Sequence, residues 1–356
     1  MKTRAMMVGA VPLGGGARVS VQSMTNTDTR DVTGTLLQIR ALAREGCDIV
    51  RVSVYDDACV AAVRELVDKS PVPLVADIHF DYRLAIGAME NGIAKLRINP
   101  GNIGGEENVR RVADCARAHH VPIRIGVNSG SLEKDILARD GGVTAKGMVD
   151  SALRHAAMLE KEGCEDIVLS LKSSDVRMTV EAYRMASQLC DYPLHVGVTE
   201  AGLPADGMVK SAIGIGALLL DGVGDTIRVS LTADPVEEIA AAQKILRAVG
   251  LLEDSVEVIS CPTCGRTRID VAGIARRVFD GTRHIKRPLK VAVMGCVVNG
   301  PGEARNADIG IAGGGGCGAL FRKGERPVKV EGDLAQILLS AIEDEVARMD
   351  GSEAQG

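Results

Sequence analysis

From residue 19 to residue 250 the chain alternates two kinds of segment. A short run rich in Val, Ile and Leu leads into a polar stretch. A longer segment follows, with apolar residues at helical spacing, and it usually ends near a glycine. The apolar runs predict strands at Val19–Met24, Ile49–Val54, Leu74–His79, Lys95–Asn99, Ile123–Asn128, Ile167–Lys172, Leu194–Thr199 and Thr226–Leu231. The helical spacing predicts helices over 33–45, 57–69, 82–91, 106–119, 148–162, 176–190, 208–221 and 235–249. Gly46, Gly92, Gly163 and Gly222 stand just past helix ends, where a residue with positive φ closes a helix at little cost. Eight strand–helix units in succession predict a closed (β/α)8 barrel in preference to an open doubly wound sheet.

Within this pattern Glu45-Gly-Cys-Asp-Ile-Val50 recurs as Glu162-Gly-Cys-Glu-Asp-Ile-Val168, an echo of the kind a duplicated half-barrel leaves. After Gly250 the pattern breaks. Leu251–Val256 reads as a linker. The remainder predicts strands at Val256–Ile259, Lys290–Met294 and Ile309–Ala312, helices at 270–279 and 333–348, and a mobile glycine-rich loop at Gly313–Gly318. The expectation is two domains, a barrel over 1–250 and a small α+β domain over 251–356.

Composition narrows this picture. Of 356 residues only seven are aromatic and none is Trp, so the cores must be aliphatic, which suits a buried parallel sheet under helices. The formal net charge of −5 implies no global basic face, so nucleic acid is not expected as a partner, although a local basic pocket for a small anion is compatible with it. Met1–Val8 is short and polar, and no run approaches the roughly 18 apolar residues that span a bilayer. Neither a signal peptide nor a membrane segment is expected, and a cytoplasmic location is.

Nine cysteines at irregular spacings do not form a disulfide framework. Three of them carry a candidate metal or redox site. Cys261-Pro-Thr-Cys264 places two thiols on one turn, and Cys296 follows an apolar strand 32 positions later, beside Gly and Pro. The spacing allows an iron–sulfur cluster or zinc, and a redox dithiol as well. Cys317 and His284 are possible fourth ligands by composition. The Cys-x3-Cys-x-x-Cys of radical SAM enzymes is absent, as is the second Cys-x-x-Cys of a zinc ribbon. The other cysteines lie at helix ends or on helix faces, where a thiol usually behaves as a small buried hydrophobe.

The second constellation lies where the predicted strands end. Arg51, Asp77, His79, Arg97, Asn99, Arg124, Asn128, Lys172, Thr199, Glu200, Arg228 and Ser230 all fall at the end where barrel active sites form. Four arginines and a lysine from five strands converge on one mouth, and unpaired buried cations are costly unless an anion meets them. A phosphate or diphosphate fits such a cluster, since guanidinium groups bind it through two hydrogen bonds at once. Glu200 is the candidate general acid or base, with Asp77 and His79 as a second pair.

Several words in the chain are more specific. Val21-Gln-Ser-Met-Thr25, Ala76-Asp-Ile-His-Phe80, Arg97-Ile-Asn-Pro-Gly-Asn102, Thr199-Glu-Ala-Gly202, Gly224-Asp-Thr-Ile-Arg-Val-Ser-Leu231 and Gly295-Cys-Val-Val-Asn-Gly-Pro-Gly-Glu303 resemble the bacterial 4-hydroxy-3-methylbut-2-enyl diphosphate synthases of the non-mevalonate isoprenoid pathway. The resemblance runs from about residue 18 to about residue 345, without the long insert of plant-type members. It implies a (β/α)8 barrel followed by a cluster domain, with a [4Fe–4S] cluster on Cys261, Cys264, Cys296 and Glu303. It implies reductive opening of 2-C-methyl-D-erythritol 2,4-cyclodiphosphate with two electrons from reduced flavodoxin or ferredoxin. Arg51, Arg97, Arg124, Asn128, Lys172, Arg228 and Ser230 match substrate-binding positions, Asp77 and His79 match active-site positions, and Glu200 matches the proton donor. A head-to-tail homodimer is implied as well. On the residues alone, a non-redox anion-binding barrel with a structural zinc domain, akin to pterin-binding synthases, stays open as the alternative.

Overall fold

A computed structural model describes residues 2–296, 306–314 and 317–353, the side chains of 351–353 excepted. The chain divides into two compact units, Met1–Leu251 and Leu252–Gly356.

The first unit opens with a hairpin of β1 (Met6–Val8) and β2 (Val11–Leu13). The barrel strands are β3 (Ser20–Met24), β4 (Ile49–Ser53), β5 (Leu74–Asp77), β6 (Lys95–Ile98), β7 (Ile123–Asn128), β8 (Ile167–Lys172), β9 (His195–Val196) and β10 (Thr226–Ile227). All pair in parallel in the order β9–β10–β3–β4–β5–β6–β7–β8. The ring closes between β8 and β9 through the Leu169–Leu194 bridge, where Leu169 N–H donates to the Pro193 carbonyl at 2.9 Å.

The helices are α1 (Val32–Arg44), α2 (Asp57–Lys69), α3 (Tyr82–Glu90), α4 (Glu106–His119), a short α5 (Lys134–Asp140), α6 (Ala145–Lys161), α7 (Val176–Leu189), α8 (Pro204–Leu220) and α9 (Pro235–Ala248). Asp31, Asp56, Asp81, Asp175 and Asp234 cap five of them, each carboxylate accepting from a backbone N–H of the first turn. The far ends close as expected. Gly46, Gly92, Gly163 and Gly222 take φ of +91°, +88°, +74° and +72°.

The echoed words fold alike. Cys47 N–H donates to the Leu42 carbonyl and Cys164 N–H to the Leu159 carbonyl, the six-residue return of a Schellman turn. Both thiols then point into the core, and burial pushes them up to about 12 for Cys47 and about 11 for Cys164, so neither is a reactive thiolate.

The last two barrel strands are shorter than their apolar runs predict. Ladder pairing stops after Val196 and Ile227, and the residues that follow run on as the rim of the barrel. The N-terminal hairpin was not expected, because three-residue strands are too short to show a period. Its Met6, Val8 and Leu13 pack with Ile49, Val75 and Val168 at the starts of β4, β5 and β8 and close the bottom of the barrel.

The second unit is a five-stranded sheet of β11 (Val256–Ser260), β12 (Leu289–Met294), β13 (Ile309–Gly314), β14 (Cys317–Arg322) and β15 (Val328–Val330). The first three strands are parallel and the last three antiparallel. Helices α10 (Val271–Gly281) and α11 (Leu334–Glu353) pack through Val271, Val278, Leu338 and Ile342 on Val256, Val291, Val293, Ile309 and Ile311. The α+β expectation holds, and one part of it is corrected. Gly313–Gly318 is not a loop at its ends, since Gly313 pairs with Gly318 and Gly314 with Cys317 in the β13–β14 hairpin. The loop before α10 selects glycine there: a Cβ at Gly313 would lie 2.7 Å from the Ile269 side chain.

If the hairpin closes the barrel, its core contact must matter to stability. Leu13 is fully buried, so Leu13→Ala should cost about 2–5 kcal/mol. Urea unfolding of the full chain would show this as a lower midpoint; a change under about 0.5 kcal/mol would mean the hairpin is an ornament.

Candidate active site in the barrel mouth

Side chains on a strand alternate between faces, so Arg51, Asp77, Arg97, Arg124, Lys172 and Arg228 share the inner face of the closed sheet. They line a cavity of about 220 Å³ together with His79, Gly126, Asn128, Ser170, Thr199 and Ser230. A hollow of about 70 Å³ is lined by His79, Arg97, Asn99, Asn102, Asn128 and Ser131, among others. The structure thus brings together every barrel residue predicted for the site except Glu200. Glu200 is exposed on the rim with φ +51°, next to the cavity-lining Thr199.

The mouth has far more positive than negative charge. Arg97 Nη1 donates to Asp77 Oδ1 at 2.9 Å, and Arg51 Nε lies 3.7 Å from Asp77 Oδ2. His79 Nε2 lies 3.5 Å from the same carboxylate. Burial works against the Asp77 charge, but Arg51, His79 and Arg97 outweigh it and hold the carboxyl well below its usual range. Arg228 Nε lies 3.4 Å from Glu238 Oε2, which also accepts from Ser23 Oγ at 2.9 Å. Met24 Sδ accepts from Arg51 Nε at 2.9 Å and Nη2 at 2.7 Å.

Arg124 is different. It is 2% exposed, its Nε and Nη1 have no hydrogen-bond partner, and among the described residues it pairs with no carboxylate. Burial, then Arg51 and Arg97, weighs against its charge. A guanidinium nonetheless keeps its proton in proteins. Lys172, which also lacks a carboxylate among the described residues, is pushed well below its ordinary range by burial and then by Arg124, Arg228 and Arg51. Two inward glycines make room for these long side chains. A Cβ at Gly126 would lie 2.7 Å from Arg97 Nε, and one at Gly197 would lie 2.7 Å from Lys172 Nζ.

Sequence reasoning missed four contributors. Glu238 is buried on α9 and looked like an ordinary surface charge; nothing local marks it. Met24 and Lys95 were within reach, since each shares the two-residue period of the inner face. Ser170 follows the same rule.

In the second unit, Cys261 and Cys296 follow the neighbouring parallel strands β11 and β12 at their C-terminal ends. The loop from Cys261 to Arg268 is tied to the end of β12. Cys261 N–H donates to the Val293 carbonyl at 3.2 Å, Gly295 N–H donates to Cys261 Sγ at 3.1 Å, and Arg268 N–H donates to the Gly295 carbonyl at 2.9 Å. Cys264 is exposed, and hydrogen bonds from the backbone and side chain of Arg266 lower its thiol. Glu303 lies outside the described residues. Among the described residues, no group of three or more His, Cys, Asp or Glu is gathered closely enough to hold a metal ion.

A family model described as the GcpE TIM-barrel domain matches residues 3–243, and one described as the GcpE protein C-terminal domain matches residues 257–344. The chain belongs to the GcpE family. It is 58% identical over 343 residues to the "4-hydroxy-3-methylbut-2-en-1-yl diphosphate synthase (flavodoxin)" of Caldanaerobacter subterraneus subsp. tengcongensis, covering 96% of each chain. It is 56% identical over 343 residues to the protein of the same name from Clostridium perfringens, covering 96% of this chain and 98% of that one. A 7,8-dihydropteroate synthase from Vibrio fischeri resembles the GcpE barrel at TM-score 0.50 with 10% identity, covering 69% of this chain and 98% of that one, a likeness of fold alone. No helix among the described residues is long and apolar enough to cross a membrane.

The unpaired Arg124 makes a prediction in which stability and binding part company. Arg124→Met removes a buried cation without orphaning a carboxylate, so the urea midpoint should hold or rise. Binding of inorganic pyrophosphate should weaken at least about tenfold, as charge-assisted hydrogen bonds are lost. Calorimetry and denaturation on one preparation read both, and a variant that binds normally would remove Arg124 from the site.

Proposed function

We propose that this chain is a 4-hydroxy-3-methylbut-2-en-1-yl diphosphate synthase that reductively opens a cyclic diphosphate. The observation that carries the reading is the barrel mouth, where Arg124 and Lys172 lack a carboxylate among the described residues and face a cavity sized for a small molecule. Its donors suit a diphosphate, and the names of the relatives supply the rest: a diphosphate product and flavodoxin.

In this reading Arg51, Arg97, Arg124, Lys172 and Arg228 hold the two phosphates, with Asn128 and Ser230 completing the hydrogen bonds. Asp77 keeps Arg51 and Arg97 splayed toward the cavity and positions His79. The phosphates leave as part of the product, so the array serves as a clamp that orients the carbon skeleton and excludes water from one side of it. Glu200, on the rim, gives a proton to the departing hydroxyl. The whole reaction consumes two electrons and one proton, because the freed phosphate oxygen leaves as an anion and only the hydroxyl needs protonation. The ring C–O bond to phosphate breaks, and the hydroxyl leaves as water.

The electrons imply a [4Fe–4S] cluster, and the chemistry of the second unit fits one. Cys261, Cys264 and Cys296 would be its thiolate ligands and Glu303 its fourth. The Gly295 N–H that donates to Cys261 Sγ and the Arg266 hydrogen bonds that lower the Cys264 thiol both favour sulfur as thiolate, which supports the reading. When bound, the cluster supplies single electrons and a Lewis-acidic iron. Reduced flavodoxin or ferredoxin supplies it in turn, and a head-to-tail homodimer completes the reading.

The test is anaerobic turnover of 2-C-methyl-D-erythritol 2,4-cyclodiphosphate with reduced flavodoxin. Product with a brown protein absorbing near about 400 nm is the expected result. A colourless protein with stoichiometric zinc and no turnover would overturn the reading. Cys296→Ser should lose the cluster absorbance. Glu200→Gln should keep that absorbance and lower kcat by about two or more orders of magnitude, and unchanged kcat would remove Glu200 from proton transfer.

A further inference from the structure

Beneath the mouth, the inner face carries two titratable groups that do not line the cavity. Lys95 and His195 are both completely buried. Lys95 stands two residues before Arg97 on β6, one layer deeper on the same face. Its Nζ donates to Gln22 Oε1 of β3 at 3.3 Å and, among the described residues, reaches no carboxylate. The charges that face it are Arg124 on β7 and Arg51 on β4. His195 on β9 faces Arg124, Lys172, Lys95 and Arg51, and neither ring nitrogen has a partner. From α7, Tyr183 donates its hydroxyl to the His195 carbonyl. The carboxylates nearest the mouth above this layer are Asp77 on β5 and Glu238 on α9. They are already engaged by Arg51, Arg97 and Arg228.

An arginine keeps its proton in such a place, whereas a lysine gives it up readily. Burial, then Arg124 and Arg51, pushes the Lys95 ammonium well below its ordinary range, so lysine is where the empty barrel relieves its excess of charge. A diphosphate in the cavity reverses that balance. We propose that Lys95 takes up a proton when a diphosphate enters the mouth, so that anion binding is linked to protonation of a buried residue that does not touch the anion. The proposal rests on the diphosphate reading of the mouth given above.

The sign follows from the linkage. Lys95 is depressed in the empty chain and rises on binding. Affinity is therefore greatest at low pH and falls as pH climbs between the two values, by up to about tenfold per unit for one proton. Lys172 lines the cavity and moves the same way, so the share of Lys95 is the difference between the wild-type chain and a variant.

The experiment is calorimetric titration of the full chain, prepared anaerobically, with inorganic pyrophosphate in buffers of different ionisation enthalpy. The dependence of the measured heat on that enthalpy counts the protons taken up. Lys95→Met, which is unbranched and one atom shorter and removes the proton site, should take up fewer protons by roughly half a proton or more. Its Kd should rise less with pH, by roughly three- to tenfold over the range in which the wild-type chain loses affinity. The same proton count and pH dependence in folded Lys95→Met would overturn the proposal while leaving the diphosphate reading intact. No binding by the wild-type chain would overturn that reading and the proposal with it. Should circular dichroism show Lys95→Met unfolded, Lys95→Gln is compared in its place, with the same expectation and the same disproof.

Discussion

Six basic side chains, Arg51, Lys95, Arg97, Arg124, Lys172 and Arg228, share the inner wall of the barrel with one carboxylate, Asp77, and a second carboxylate, Glu238, reaches Arg228 from α9. That imbalance is what the rest of the barrel has to hold in place. Like charges in a buried setting repel and lose their hydration, so the cluster works against folding and must be carried by apolar packing elsewhere. The carboxylates do not cancel it; they divide it. Asp77 pairs with Arg51 and Arg97, Glu238 pairs with Arg228, and Arg124 with Lys172 is left facing the cavity. A site arranged this way is less stable empty than filled, which is the usual relation between an anion-binding pocket and its fold.

The frame that carries this charge is built from local rules repeated around the ring. Aspartate caps at Asp31, Asp56, Asp81, Asp175 and Asp234 begin helices just after strands, so each lies on the side of the barrel where the mouth opens. Their carboxylates are spent on helix N-termini and stay off the inner face. At the other end, left-handed turns at Gly46, Gly92, Gly163 and Gly222 return the chain to the next strand, and the N-terminal hairpin seals the bottom with Leu13. Opposite ends of one barrel thus do opposite work: the lower is closed and apolar, and the upper is open and cationic.

The second unit solves a different problem with the same geometry. Parallel strands end on one edge of their sheet, and β11 and β12 deliver Cys261 and Cys296 there. Backbone N–H groups freed at those strand ends turn toward sulfur, as Gly295 does toward Cys261. Ile269, in the loop before α10, leaves no room for a Cβ at Gly313, so a run that reads as a loop from its glycines is in part a hairpin.

Much of this was legible in the sequence. Strand and helix order, the glycine helix stops and the inward series Arg51, Arg97, Arg124, Lys172 and Arg228 all follow from spacing. Spacing decides which face a side chain takes, and that is a property of each strand by itself. The early ends of β9 and β10, the hairpin plug and the displacement of Glu200 to the rim were not legible, because each depends on how neighbours pack. The clearest case is Glu238. On α9 it reads as one more surface charge, yet it reaches Arg228 and Ser23 inside the barrel, and Ser23 lies 215 positions earlier in the chain. The sequence by itself therefore determined that five of the six cations face inward, Lys95 being the one passed over. Only the closed barrel decided which of them keep a carboxylate and which are left for a ligand, because ion pairing depends on distances between strands and helices that no single segment contains.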